Sequence, residues 1–330
     1  MNGLSKGFAP PPEAAWVEVD DSAAQQRIDN FLVRLLKGVP KSHLYQLLRT
    51  GQVRVNSRRV DATYRLQAGD RIRVPPVRRT RSEPAAPPLR PARPVLGNQV
   101  LFEDDWVLAV NKPAGMAVHG GSGISRGVIE QLRAERPQQR FLELAHRLDR
   151  ETSGVLLVAK KRPALKGLHD QLRSGLVQKY YLALVAGDWR VARREVQLPL
   201  RKSLTAEGER RVSVHREGQT AHTIFTLRER LPAGGGLPGF ALLECELLTG
   251  RTHQIRVHLS HLGFPIAQDD KYGDFPLNRL LARAGLKRMF LHAARLVFAH
   301  PATAEPISVE AALPADLSGF LERLRGSLKR

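Results

Sequence analysis

The sequence predicts an α+β protein in two parts, a small helix-and-sheet module followed by a larger domain built on a mixed, mainly antiparallel sheet. Three observations carry that expectation. The chain has 330 residues, more than the ~100–200 of an ordinary single domain. A run of prolines and arginines, "PPVRRTRSEPAAPPLRPARP" from Pro75 to Pro94, interrupts every apolar pattern. Beyond it, short strand-like runs come in clusters with helical runs between them, the ordering of an α+β sheet domain.

Residues 1–15 are small, polar and proline-bearing, and are expected to form a disordered tail. In the module at residues 16–76, Ile28, Phe31, Leu32, Leu35 and Leu36 recur at helical spacing, and Gly38 and Pro40 end that helix. Ser42 is positioned to cap a second helix, "SHLYQLLRTG", whose Leu44, Leu47 and Leu48 face inward and which Gly51 stops. Alternation follows in "QVRVNSRRV" and "GDRIRVPP", with Val53, Val55, Ile72 and Val74 on the core side and Arg54, Arg58, Arg59, Arg71 and Arg73 outside. Residues 77–97 read as an extended linker, because prolines deny both helix and ladder and Glu83 is the only acid among five arginines of the Pro75–Pro94 run.

Residues 98–330 carry the larger domain. "WVLAVNKP" and "GVLLVAKK" are apolar runs suited to central strands, while "KYYLALVAG" and "RVSVHREGQTAHTIFTL" alternate like antiparallel ones. "GVIEQLRAE" and "PALKGLHDQLRS" have helical spacing, the second with Pro163 where a first turn tolerates it. "GGGLPG" at Gly234–Gly239 is a turn between strands.

Lysine and arginine number 52 against 32 acids, a net charge of +20. Such an excess points to a polyanionic partner, nucleic acid before membrane. The single cysteine, Cys245, excludes an internal disulfide, a zinc ribbon and a CxxC redox pair, which fits a reducing cytoplasm. The N-terminal stretch lacks the apolar core of a signal peptide. No apolar run approaches the roughly 18 residues of a membrane span, so no membrane partner is expected.

One short stretch, "AHRLDRETSG" from Ala145 to Gly154, sets a carboxylate, Asp149, among Arg147, Arg150 and His146. Alone, such a charge run is a solvated surface. Here the apolar "GVLLVAKK" follows at once, so Asp149 sits in a loop feeding a buried strand, a position where chemistry is commonly held. Other motifs fail. "HGGSG" around Ser122 has Ile124 where a serine-hydrolase elbow needs glycine, and it lacks the Lys-Ser/Thr of a phosphate loop. His253, His258 and His261 are spaced five and three apart, so the first pair does not share a helix face as an HExxH metal site requires. A lone carboxylate can still break a glycosidic bond, as nucleophile at the sugar or as base on it, without any cofactor. Hydrolysis would call for a second, water-directing carboxylate. Breaking the bond and remaking it at another atom of the same base needs only one carboxylate and a dry pocket, so that reaction fits better.

These residues carry a resemblance. "HRLDRETSG", "NKPAGMAVH", "QKYYLALVAG" and "TGRTHQIRVH" look like the four sequence motifs of the RluA-type family of pseudouridine synthases, in order, over nearly the whole span from Asn98 to Pro314. "KSHLYQLLRTGQVRVNSRRV" with "AGDRIRV" resembles the S4-type RNA-binding domain. "FPIAQDDKYGD" and "RMFLHAARLVFAHP" are similar to a member acting on large-subunit ribosomal RNA. The resemblance implies an isomerase of uridines in large-subunit (23S) ribosomal RNA, working by base flipping, as a monomer, with no cofactor or metal. By it, Asp149 is the catalytic aspartate, Tyr181 lies against the flipped base and Arg256 pairs with the aspartate. Arg147 fills the gap left by the base, a task that suits a planar guanidinium. His146, Ile255 and Leu156 join it around the substrate, and Tyr180, on the opposite strand face, is a core residue. Lys41, Arg49, Arg54, Arg58 and Arg59 bind RNA phosphates from the first module, and the loop at Gly115–Gly123 either touches RNA or only turns tightly. Three rivals stay open: a synthase for another structured RNA, an RNA-binding protein without catalysis, and a base-excising glycosidase.

Overall fold

The computed structural model describes residues 14–20, 23–36, 39–77, 96–120, 126–204 and 210–327. The chain divides into two compact units, Met1–Arg90 and Pro91–Arg330. The expected tail up to residue 13, and the linker from 78 to 95, lie outside the described residues.

The first unit runs β1 (Ala15–Glu18), α1 (Ile28–Leu35), α2 (Lys41–Arg49), β2 (Arg54–Val55) and β3 (Arg71–Val74). Its sheet has the order β1-β3-β2, both pairs antiparallel. β1 was not anticipated: four residues offer too little alternation to read, and it is its pairing, Ala15 with Val74 through Glu18 with Arg71, that makes it a strand. The two helices lay Ile28, Leu32, Leu36, Leu44, Leu47 and Leu48 onto Val53, Val55, Ile72 and Val74, one apolar core. Phe31 and Leu35 are only half-buried at its edge. Ser42 is not the cap of α2. The cap lies two residues earlier, at Pro40, whose carbonyl accepts the first bonds from His43 and Leu44.

The second unit opens with a 3₁₀ turn at Gly97–Gln99 and continues β4 (Val100–Glu103), β5 (Val107–Lys112), α3 (Val128–Glu135), β6 (Glu143–Leu144), β7 (Ser153–Ala159), α4 (Arg162–Arg173) and β8 (Gln178–Ala186). Then come β9 (Arg193–Gln197), β10 (Leu200–Leu204), β11 (Arg210–Val214), β12 (His222–Leu231), β13 (Phe240–Leu247), α5 (Gln254–His261), α6 (Phe275–Arg283), β14 (Leu291–Ala299), β15 (Pro306–Glu310) and α7 (Ala315–Ser327). Ten strands form one sheet in the order β4-β5-β7-β14-β8-β13-β12-β9, with β6 beside β7 and β15 beside β14; β10 and β11 form a separate hairpin. Among the described residues the β7–β14 pairing alone is parallel, so the sheet is mixed and mainly antiparallel.

That parallel pairing sets the start of β7. Gly154 lies at φ +113°, and a Cβ there would stand 2.1 Å from the Ala293 carbonyl oxygen, so only glycine lets β14 approach. Beside it, the Ser153 hydroxyl meets His292 Nδ1 at 2.9 Å. α5, which the sequence pattern did not disclose, has Gln254, Ile255, Arg256, Val257, His258 and Leu259 all buried. A helix enclosed on every side has no polar face to give it an amphipathic period.

Candidate active site

The stretch from Ala145 to Thr152 joins β6 to β7 and is held at several points. Ala145 N–H donates to Leu157 O at 3.0 Å, and Leu157 N–H donates to His146 Nε2 at 3.0 Å. Beneath the loop, Lys112 is fully buried, and its Nζ donates to the carbonyls of Pro113, Met116 and Arg150 at 2.8, 2.8 and 2.9 Å. Gly115 N–H also donates to Arg150 O, at 2.9 Å. "NKPAG" is thereby a clamp that fixes the backbone next to Asp149. Burial lowers the Lys112 ammonium to about 7, against the raising effect of the Glu151 and Asp149 charges. Its role was missed because lysine at the end of a strand reads as a surface residue.

Asp149 projects into a cleft of about 690 Å³ bounded by residues 145–149, by Lys179 and Tyr181 of β8, and by the chain from Leu247 to Arg256. Arg256, from α5, reaches Asp149 Oδ2 through Nη1 at 3.4 Å. That contact joins residues 107 apart in sequence. It is not the main engagement of Arg256, however. Nε and Nη2 both donate at 2.7 Å to the two oxygens of Asp269, which is wholly buried, and Nη2 lies 3.4 Å from Asp270 Oδ1. A bidentate fork of this kind fixes the guanidinium plane, so Asp269 aims the third nitrogen at Asp149. Burial disfavours the Arg256 charge, but hydrogen bonds and charge from Asp269, then Asp149, outweigh it and raise its pKa. Burial likewise pushes Asp269 up. Arg256 and the N–H groups of Tyr272 and Lys271 overcome that and hold its carboxyl below the ordinary value.

Two further side chains close the site. His253 is the N-cap of α5 in the left-handed region at φ 54°, with Nδ1 2.8 Å from the Tyr272 hydroxyl and Nε2 3.8 Å from Asp149 Oδ2. Burial lowers its pKa, opposed by Asp149. Tyr272 lies under the Arg256 guanidinium, 5.1 Å from ring centre to Cζ. Tyr181 is buried in the cleft wall, and its phenol is raised first by burial and then by the Asp149 charge, so it stays neutral. The stretch "AQDDKYGD" held the signal for Asp269 and Tyr272, but nothing in it says which aspartate turns inward.

The other expected residues divide. Arg147 is exposed at the cleft mouth, and Ile255 is buried in the cleft lining. Leu156 is not in the lining: it lies down β7, wholly buried in the core that also contains Val128, Ile129 and Leu132 of α3. His146 borders the cleft with Nε2 committed to β7, and burial lowers its pKa to about 4, so it is a neutral acceptor holding the loop. Tyr180 does point to the opposite face, but it is half-buried, with the Arg295 guanidinium 4.0 Å over its ring, and so is not a core residue. His253, His258 and His261 form no metal-binding group among the described residues. Of the Gly115–Gly123 loop, Glu130 of α3 accepts from Gly120 N–H at 3.0 Å, and residues 121–125, with Ser122, lie outside the described residues. In the first unit Arg49, Arg54, Arg58 and Arg59 are exposed; Lys41 opens α2, and its side chain is outside the description.

Comparison with known proteins gives the family. A family model for RNA pseudouridylate synthase matches residues 106–261, and an S4 domain model matches residues 26–72. Ribosomal large subunit pseudouridine synthase C of Escherichia coli (strain K12) is 52% identical over 320 residues, 96% of this chain and 98% of that protein. The protein of the same name from Yersinia pestis is 50% identical over 315 residues, covering 95% and 97%. Among solved structures, Human RNA Pseudouridylate Synthase Domain Containing 4 superposes with a TM-score of 0.55 at 26% identity, over 70% of this chain and 94% of its own. Half the positions shared with full-length relatives, over nearly the whole chain, place it in one family: this protein belongs to the RNA pseudouridylate synthases, with an S4 domain at its N-terminal end.

Proposed function

We propose that this protein isomerises specific uridines of large-subunit ribosomal RNA to pseudouridine, as a monomer in the cytoplasm, with Asp149 as the catalytic carboxylate. The observation that carries the reading is the convergence of Asp149, Arg256 and Tyr181 in one cleft from three separate stretches of chain. The relatives' names supply the RNA class, and the net charge of +20 suits it. In the reaction the bond from uracil N1 to C1′ breaks and one from C5 to C1′ forms, while C5 loses a proton and N1 gains one. Asp149 attacks C1′ or takes a sugar proton. Arg256, oriented by Asp269, keeps a positive charge beside it. Tyr181 stacks on the flipped base and Arg147 takes the vacated position in the RNA. Ile255 supplies an apolar wall. The exposed arginines of the S4 domain, with Lys41, engage phosphates away from the chemistry, and residues 16–76 and 98–330 act as the two functional domains.

Asp149→Asn keeps size and packing and removes the charge. Tritium release from RNA labelled at uridine C5 should fall by ~10⁴-fold, the scale for loss of an essential nucleophile. Activity within tenfold of the wild type would refute the assignment. Free uracil released by the wild type would show base excision instead.

A further inference from the structure

Lys179 has no part in the chemistry described so far, yet its surroundings are those of a ligand group. It lies on β8 two residues before Tyr181, hence on the same strand face and ~7 Å along it. It lines the same cleft and is only 7% exposed. Its Nζ extends toward the opposite wall, where a Cβ on Gly250 would stand 4.0 Å from it. Among the described residues no hydrogen bond or ion pair reaches that nitrogen; burial alone acts on its titration, lowering it. Asp149, the carboxylate of the cleft, is committed to Arg256. Next to it Thr152, 2% exposed and also in the cleft lining, has a hydroxyl with no partner. A buried cation without a counter-charge is costly. A fold that keeps one facing a substrate cleft leaves the counter-charge to the substrate.

Resting on the pseudouridine synthase reading, we infer that Lys179 binds a phosphate of the target nucleotide and so positions the flipped uridine against Tyr181 and Asp149. The chemistry selects phosphate over a uracil carbonyl. An ammonium is a compact point charge that gains most from a formal negative charge. A base stacked on Tyr181 also carries its own phosphate at about the distance that separates the two side chains along the strand. The exposed Arg147, Arg173 and Arg251 at the cleft rim continue the same cationic path for the strand on either side.

The test pairs a protein change with an RNA change. Short RNAs are made with either phosphate flanking the target uridine replaced by a neutral methylphosphonate, the adjacent 2′-hydroxyl being removed in these and in the control. Tritium release is then measured with wild type, Lys179→Met and Lys179→Arg. On control RNA, Lys179→Met should lower kcat/KM at least tenfold and Lys179→Arg less than threefold. One of the two neutral linkages should cost the wild type a similar factor and cost Lys179→Met less than twofold, because the ammonium that met that phosphate is already gone. Penalties that multiply at both positions, or Lys179→Met within twofold of wild type, overturn the proposal. If Lys179→Met fails to fold, wild type alone decides: indifference to both neutral linkages overturns it. Wild type that releases no tritium even from the same RNA with every 2′-hydroxyl present would refute the reading of function instead, and silence on the control alone would leave binding titrations of the same RNAs to decide the phosphate contact.

Discussion

Asp269→Asn separates the residue that aims Arg256 from the carboxylate proposed to react. Arg256 donates at 2.7 Å to each Asp269 oxygen, and Oδ1 also accepts at 2.9 Å from the N–H groups of Lys271 and Tyr272. The amide keeps the oxygen that faces those N–H groups but turns an NH₂ toward Arg256 Nε and removes the charge. Breaking a buried pair costs ~3–5 kcal/mol, and the retained backbone bonds place this case near ~3. At ~2–4 °C per kcal/mol for a unit of this size, the melting temperature should fall by ~6–12 °C. The guanidinium, no longer forked, loses its 3.4 Å line to Asp149, and a misplacement of ~1 Å lowers kcat/KM by ~10²-fold. Asp270→Asn is the control. Its carboxylate is 71% exposed and 3.4 Å from the same nitrogen, so it should cost at most ~1 kcal/mol and leave activity within about threefold. The pH dependence follows from a carboxyl held below its ordinary 3.8: its stability is fully present above that value and is lost as pH falls through the depressed one. The gap between wild type and Asp269→Asn should therefore narrow in acid. Calorimetric melts and tritium-release kinetics measure both arms. Equal effects of the two substitutions, or an Asp269→Asn protein that melts and turns over like the wild type, would refute the reasoning.

Lys112→Met should remove a pH response. Burial lowers Lys112 to about 7 from 10.5, so the unfolded chain binds the extra proton between those values and stability rises with pH across that window; urea midpoints of the mutant should rise less, and parallel slopes would refute it. Gly154→Ala forces a Cβ to 2.1 Å from Ala293 O at φ +113° and should cost ~2–5 kcal/mol, seen as a lowered melting temperature; an unchanged one would mean β14 moves aside freely. Deleting residues 1–94 should leave kcat within about tenfold, because uniform binding acts on KM, and reduce the salt slope of RNA binding by roughly 0.7–0.9 for each phosphate that the S4 domain neutralises; an unchanged slope in titrations would take the S4 domain off the RNA.

The sequence by itself determined the elements whose burial follows a local period. β5 and β7 were legible as apolar runs because they are enclosed almost throughout, β8 as an alternating run because its first half is buried on one face only, and the S4 domain because its leucines repeat every three or four residues along half-exposed helices. The loop of Asp149 was legible for a related reason, since its charges abut such a strand. Tertiary structure alone decided the rest. α5 has no polar face, so its helix could not announce itself, and Arg256 within it turned out to be held by Asp269, 13 residues on, more tightly than by Asp149. Leu156 and Ile255 looked alike as apolar neighbours of the motifs, and both are buried in the same core, but only Ile255 also reaches the cleft lining. Lys112, a strand-end lysine in sequence, became the buried clamp of the Asp149 loop because the Arg150 carbonyl joins those of Pro113 and Met116 around it only once β5 and that loop are packed together. Periodicity reports what one segment buries; which charged groups are left facing each other depends on how segments a hundred residues apart are stacked, and only close packing settles that.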